Sequence, residues 1–170
     1  MNPAIETTNL VKRYGKVTAV DGLSLRVKRG EIYVFLGLNG AGKTTTIRML
    51  LGMVKPTSGA VRVLGTPIRI GENKPWSRVG YLVETANAYP ELTVRENLEA
   101  MRRLRPGTEP QAVDRVIDLL RLGEYADRRA GTLSLGNAQR LGLAKALLHN
   151  PELLLLLRQA RGVVFCRRLA

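Results

Sequence analysis

With one cysteine, Cys166, the chain has no partner for an internal disulfide. That excludes a cystine-stapled scaffold and fits a reducing compartment. No apolar run approaches the ~18 residues a membrane-spanning helix needs; Leu153 to Leu157 is typical of the runs present. The start, Met1-Asn2-Pro3-Ala4-Ile5-Glu6, has no basic region followed by an apolar stretch, so no secretory signal is expected. The chain is expected to be soluble by itself, with any membrane connection made through a partner. Acids are scarce: 14 Asp and Glu face 27 Lys and Arg, a formal charge of +13. Such a charge suits a nucleic-acid or anionic-membrane surface. Aromatics make up only 5% of residues, and few interleave with dispersed basic positions. A solvated basic face with phosphate-binding residues is therefore the favoured reading over nucleic acid. There is no internal repeat and no low-complexity linker. At 170 residues there is room for one domain with a real core, and little for two.

What is present begins with Gly37-Leu38-Asn39-Gly40-Ala41-Gly42-Lys43-Thr44-Thr45. An apolar run, Ile32 to Leu36, precedes it and reads as a buried strand; a helical pattern from Thr45 to Gly52 follows. Strand, glycine-rich turn, Gly-Lys-Thr and helix form the context of a phosphate loop. Glycines let the backbone aim N–H groups at phosphate oxygens, and the helix start adds its positive dipole end. Lys43 is placed to reach β- and γ-phosphates, and Thr44 to ligate Mg²⁺. A nucleoside triphosphate is the implied ligand.

Around this loop the pattern is mixed. Ile5 to Val11, Val17 to Val20 and the alternating Leu23, Leu25 and Val27 predict strands of a small antiparallel sheet, which the strand with Val61 and Val63 could join. Tyr14, before a turn glycine, is either an adenine-stacking ring or ordinary packing. Val79 to Val83 predicts a buried strand that ends at Glu84, where open α/β sheets place ligand contacts; a solvated loop acid is the plain alternative. Thr93-Val94-Arg95-Glu96 is a capping box, with Leu98, Met101 and Leu104 continuing one helix face. Gln111 to Leu122 predicts a second helix that carries Val113, Val116, Ile117 and Leu120 and ends at Gly123. A third carries Leu141, Ala144, Leu147 and Leu148 and stops at Asn150-Pro151. His149 is expected to be a partly exposed residue near the negative end of that helix.

The segment Leu133-Ser134-Leu135-Gly136-Asn137-Ala138-Gln139-Arg140 resembles the signature of the ATP-binding cassette family, usually written Leu-Ser-Gly-Gly-Gln. With the phosphate loop upstream, the resemblance spans about Ile5 to Leu157. It is strongest to ATPase subunits of bacterial multidrug and antibiotic exporters. The fold it implies is α/β: a P-loop (RecA-like) core, an N-terminal antiparallel β-subdomain and an inserted helical subdomain over about 86–148, with the last core strands missing. The partial ATP-binding domain covers 1–157, and a basic tail outside the family covers 158–170. The resemblance assigns ATP and Mg²⁺ as ligands. Tyr14 matches the adenine-stacking aromatic and Gly37 to Thr45 the phosphate loop. Glu84 stands where most of the family has a glutamine that approaches Mg²⁺ and the attacking water. Ser134, Gly136 and Asn137 match the signature, which in the family contacts the ATP of a second subunit in a head-to-tail dimer. Taken singly, Ser134 reads as a helix cap and Gly136 as a turn. Ala88 to Arg105 resembles the part that receives coupling helices from a transmembrane permease. The implied location is cytoplasmic, peripheral at the inner face of the cell membrane, with no direct nucleic-acid contact.

The pattern breaks after Leu156. Where the family closes this strand with Asp-Glu-Pro, Leu157-Arg158-Gln159-Ala160 stands instead. In the family those two acids hold Mg²⁺ and polarise the attacking water. His149 does not match the family's γ-phosphate-sensing histidine. The stretch 158–170, with four arginines and no acid, is expected to be foreign sequence from a shifted frame or gene fragment. An open sheet edge, weak ATP binding and slow hydrolysis are the expected consequences. Two other functions stay open: a non-transport ATPase acting on ribosomes or nucleic acid, and an ATP-binding protein without hydrolysis.

Overall fold

The computed structural model describes residues 2–38, 40–71, 75–83 and 87–157, with the backbone of Val163–Arg167. Strands β1 (Ile5–Tyr14) and β2 (Val17–Val27) form a long hairpin. The two short strands expected in the second arm are one continuous strand. Its register against β1 shifts between Thr7 and Leu10. Buried Thr7 bridges that region: its Oγ1 donates to Leu23 O and accepts from Leu25 N, both at 2.9 Å. A side-chain hydroxyl thus keeps the irregular ladder satisfied.

Strand β3 (Tyr33–Phe35) leads through the glycine-rich loop into helix α1 (Lys43–Leu50). Strand β4 (Ser58–Val63) then pairs antiparallel with β1, and β5 (Thr66–Pro67) with β4. The order β2-β1-β4-β5 is the small antiparallel sheet foreseen from the alternation, with Val61 and Val63 buried and Arg62 exposed.

A second sheet has the order β3-β8-β7-β6, from β6 (Val79–Val83), β7 (Leu153–Leu157) and β8 (Val163–Arg167). Strands β6 and β7 run parallel, while β8 is antiparallel to both β7 and β3. This corrects one expectation. The sheet does not stop open at β7, because Val163–Arg167 pairs with Leu153–Leu157 on one side and Tyr33–Phe35 on the other. A second correction concerns Ile32 to Leu36. Only Tyr33–Phe35 is strand, and Val34 is 47% exposed. As the edge of its sheet, β3 has a neighbour on one side only, so an apolar run is not by itself evidence of a buried strand. Tyr81, in the opposite edge strand β6, is likewise exposed.

Helices α2 (Val94–Arg103), α3 (Ala112–Leu119) and α4 (Leu135–Leu147) pack together. The capping box is formed: Thr93 Oγ1 accepts from Glu96 N at 3.1 Å, and Glu96 Oε2 accepts from Thr93 N at 2.8 Å. Leu104 departs from the expected apolar face. The helix ends at Arg103, and Leu104, at its C-cap, is exposed. In α3 and α4 the apolar positions Val113, Val116, Ile117, Leu141, Ala144 and Leu147 are buried as their spacing predicts.

Strand β7 joins the two cores. Leu153, Leu155 and Leu157 face the core of the two sheets and α1, whereas Leu154 and Leu156 face the helices. Period-2 alternation between two apolar cores is why five consecutive leucines stand here. Gly80 lets α4 approach β6, because a Cβ at that position would lie 2.2 Å from Ala146 O.

Candidate functional site

The glycine-rich loop is shaped by what lies behind it. Gly42 caps α1 with φ +75°, and a Cβ there would sit 2.1 Å from Ala19 O and 3.0 Å from a Val20 methyl. Strand β2 therefore forms a wall against the loop, and only glycine fits between wall and helix. Ala41 N donates to Leu38 O at 3.1 Å, closing a tight turn, and Thr46 N donates to Gly42 O at 2.8 Å. Among the described residues no carbonyl accepts from the earlier first-turn N–H groups, of Lys43, Thr44 and Thr45. No acid occupies the first turn of α1. A cluster of orphan donors at a helix start, without a carboxylate of its own, is a receptor for an anion.

Lys43 completes it. Its side chain is buried, and Nζ donates to Gly37 O at 2.6 Å and Leu38 O at 2.7 Å. The ammonium is thus held inside the curl of the loop, at the concave side that phosphate oxygens would share. Thr44 and Thr45 are half-buried beside it. Asn39 lies outside the described residues, as does Glu84 beyond the end of β6.

Tyr14 ends β1 and pairs across the hairpin with Val17, two residues before Ala19 and its contact with Gly42. The hairpin therefore carries the ring toward the same wall that backs the loop. The ring is 50% exposed, and Lys12 Nζ lies 4.7 Å from its centroid.

Ser134 is the N-cap of α4, and its Oγ accepts from Asn137 N at 3.3 Å. Leu135 is exposed, and nothing lies within 4 Å of a Cβ built on Gly136. This segment stands over the helical core, whereas the phosphate loop stands over the sheet core. Its free helix N–H groups open to solvent.

Two arrangements were not foreseen. Asn97, on the buried side of α2, brackets the preceding loop. Its Oδ1 accepts from Tyr89 N at 2.8 Å, and its Nδ2 donates to Tyr89 O, Leu92 O and Thr93 O at 2.9 to 3.2 Å. A polar residue inside an apolar stripe, beside Val94 and Leu98, was the available signal. The second is a cleft of about 960 Å³ between the end of α1, β6 and the α2–α3 connection, lined by Trp76, Tyr81, Met101, Arg105 and His149 among others.

His149 is not the simple helix-end residue expected. Its Nε2 lies 3.1 Å from Arg105 Nη1 and 3.2 Å from Val79 O, and its Nδ1 is buried without a partner. Burial, then the Arg105 charge, lower its pKa to about 4. With its proton on Nδ1 the neutral ring can accept from Arg105, and with it on Nε2 it can donate to Val79 O; a protonated ring would face the Arg105 cation. Because the folded pKa lies below the ordinary 6.5, the contribution to stability is complete above pH 6.5 and is lost as pH falls toward 4. Urea titrations across this window should show unfolding free energy falling by up to roughly 3 kcal/mol. His149→Gln should flatten that slope; an unchanged slope would assign it to other groups.

Near the start of β7, Glu152 takes a bidentate pair from Arg78 at 2.6 and 2.8 Å and a further bond from Arg29 at 3.1 Å. The Arg78 hydrogen bond leads in holding this carboxyl at about 2. All three side chains are substantially exposed, so the cluster fixes geometry more than it adds stability.

Wall, glycine turn, buried lysine and unpartnered helix start together define a P-loop nucleotide-binding protein. The ABC transporter family matches residues 20–156, and this chain belongs to it. It is 45% identical over 163 residues to a bacitracin transport ATP-binding protein of Bacillus licheniformis, covering 96% of this chain and 53% of that one. A bacitracin transport ATP-binding protein of Enterococcus faecalis is 40% identical with the same coverage. The chain thus spans about half the length of these relatives. A solved ATP-binding subunit of an ABC transporter superposes with TM-score 0.79 at 28% identity, over 90% of this chain and 65% of that one. Among the described residues, no helix is long and apolar enough to cross a membrane.

Proposed function

We propose that this chain binds ATP with Mg²⁺ as the energy-coupling part of a bacterial antibiotic exporter. The observation that carries this reading is the loop itself: Lys43 is held in its curl, and Gly42 is wedged against Ala19 at an anion-receptive helix start. The donor set fits a triphosphate. Lys43 would exchange its two carbonyl partners for β- and γ-phosphate oxygens, the N–H groups of residues 43–45 would orient the phosphates, and the Thr44 hydroxyl would hold Mg²⁺. Bound Mg²⁺ would supply charge neutralisation at the phosphates. Glu84 is proposed as a further Mg²⁺ contact, Tyr14 as the ring beneath the adenine, and Ser134, Gly136 and Asn137 as contacts to the ATP of a second subunit. The two relatives named for bacitracin transport support export. A membrane-embedded partner is proposed to dock along Ala88 to Arg105 and the adjoining cleft, placing the chain at the inner membrane face.

Hydrolysis is proposed to be slow. Leu157-Arg158-Gln159-Ala160 offers no carboxylate to position water or hold the metal. Phosphoryl transfer depends on such positioning. The test pairs two measurements on the purified chain. ATP with Mg²⁺ should raise the melting temperature, while phosphate release should run orders of magnitude below that of a full-length relative. Absence of any ATP-dependent shift would sink the binding assignment; release at the relative's rate would sink the assignment of slow turnover.

A further inference from the structure

Strand β4 accompanies β1 only as far as the Val11–Ser58 pair. Beyond it, the turn over 55–57 takes hold of β1 through three bonds. Thr57 N donates to Val11 O at 2.8 Å, Arg13 N donates to Thr57 Oγ1 at 3.0 Å, and Lys12 Nζ donates to Lys55 O at 2.9 Å. These bonds fall on the three residues just before Tyr14. There the register of β1 against β2 shifts twice, between Leu10 and Lys12 and between Lys12 and Arg13. An irregular ladder aims a strand end less firmly than a regular one. Here the turn supplies the missing constraint.

Lys12 is the member of this clip that reaches the ring. Its ammonium, anchored on Lys55 O, lies over the Tyr14 ring, 4.7 Å from the centroid. A lysine stem on its own carries too much rotamer freedom to hold a ring in place. The carbonyl anchor removes that freedom. One ring face is thus covered by the cation, and the half-exposed ring keeps its other face open. A cation over one face also draws on the ring's negative quadrupole, which eases stacking of a purine on the other. Lys12 pairs in register with Val20, whose methyl bounds Gly42. Clip, ring and wall are therefore neighbouring parts of one hairpin.

We infer that Lys12 is a positioning residue for the nucleotide base: fixed on Lys55 O, it backs one face of Tyr14 and presents the other to adenine. This rests on the stacking role proposed for Tyr14 and names what sets the ring.

The test titrates the full chain by calorimetry with Mg²⁺-ATP and with Mg²⁺-tripolyphosphate, which carries the phosphates without a base. Lys12→Met keeps the apolar stem and removes the charge. It should weaken ATP roughly twofold to fivefold and leave tripolyphosphate unchanged. Lys12→Arg should keep the wild-type ratio of the two affinities. Thr57→Val, which removes the acceptor for Arg13 N, should shift that ratio in the same direction as Lys12→Met. In a Tyr14→Ala background Lys12→Met should have no further effect on ATP. Circular dichroism melts verify folding, and Thr57→Val carries the comparison if Lys12→Met does not fold. Equal weakening of both ligands by Lys12→Met would overturn the inference, because the charge would then act on the phosphates. An undiminished effect in the Tyr14→Ala background would also overturn it, as would unchanged ATP affinity in Lys12→Met when Tyr14→Ala weakens ATP. If Tyr14→Ala leaves the ratio unchanged, the stacking reading fails and the inference fails with it.

Discussion

Lys43→Ala is expected to abolish the ATP-dependent rise in melting temperature and to weaken Mg²⁺-ATP binding by at least roughly a hundredfold. Two charge-assisted hydrogen bonds to phosphate at about 1.5–3 kcal/mol each set that scale. The reason lies in where the ammonium already is. Nζ is held at 2.6 and 2.7 Å from the carbonyls of Gly37 and Leu38 inside the loop, so no rearrangement of the chain is needed to present it. Removing it also frees those two carbonyls and loosens the loop. Thermal shift and fluorescent-nucleotide titration both read the result. Undiminished binding in Lys43→Ala would mean that the backbone N–H groups alone hold the ligand.

Gly42→Ala should be the more damaging change to the fold. A Cβ would stand 2.1 Å from Ala19 O, a backbone atom of β2 that cannot swing aside as a side chain could. The left-handed φ of +75° adds about 1–2 kcal/mol for an L-residue. A total loss above roughly 3 kcal/mol is expected, together with displacement of α1 from the β2 wall and loss of nucleotide binding. Gly40→Ala is the comparison that separates clash from dihedral strain. Gly40 has φ +85° but nothing within 4 Å of a Cβ. It should cost only the dihedral term, about 1–2 kcal/mol. Equal losses from the two variants in urea melts would show that the wall at Ala19 is not what confines the loop.

The glycine-rich loop and the cleft lie against different parts of the molecule. The proposed nucleotide site draws on an exposed loop held between β2 and α1, whose apolar residues pack in the sheet core. The cleft draws on Trp76, Arg105 and His149, at the boundary of the helical core. Strand β7, with alternate leucines in each core, is the rigid element common to both. A change at one end therefore meets packed structure rather than a loose linker.

Local chemistry made much of this molecule readable in advance. The phosphate loop, the Thr93–Glu96 box, the Ser134 cap and the alternating Val61 and Val63 each depend on residues within a few positions of one another. Hydrogen-bond reach and side-chain period are short-range, so spacing along the chain is enough. The same logic misplaced Val34 and Leu104. Burial of Val34 depends on which strand lies beside β3, and that of Leu104 on where α2 stops. Neighbours from far along the chain decided the rest. Val163–Arg167 enters the sheet between β3 and β7 by pairing with both. Ala19 presses on Gly42, and His149 meets Arg105 and Val79. These contacts are between segments that only packing brings together, and their pairing has no signature in local spacing. Nucleotide chemistry was therefore legible from nine consecutive residues, whereas the wall that confines it and the charged cleft exist only once the chain has folded.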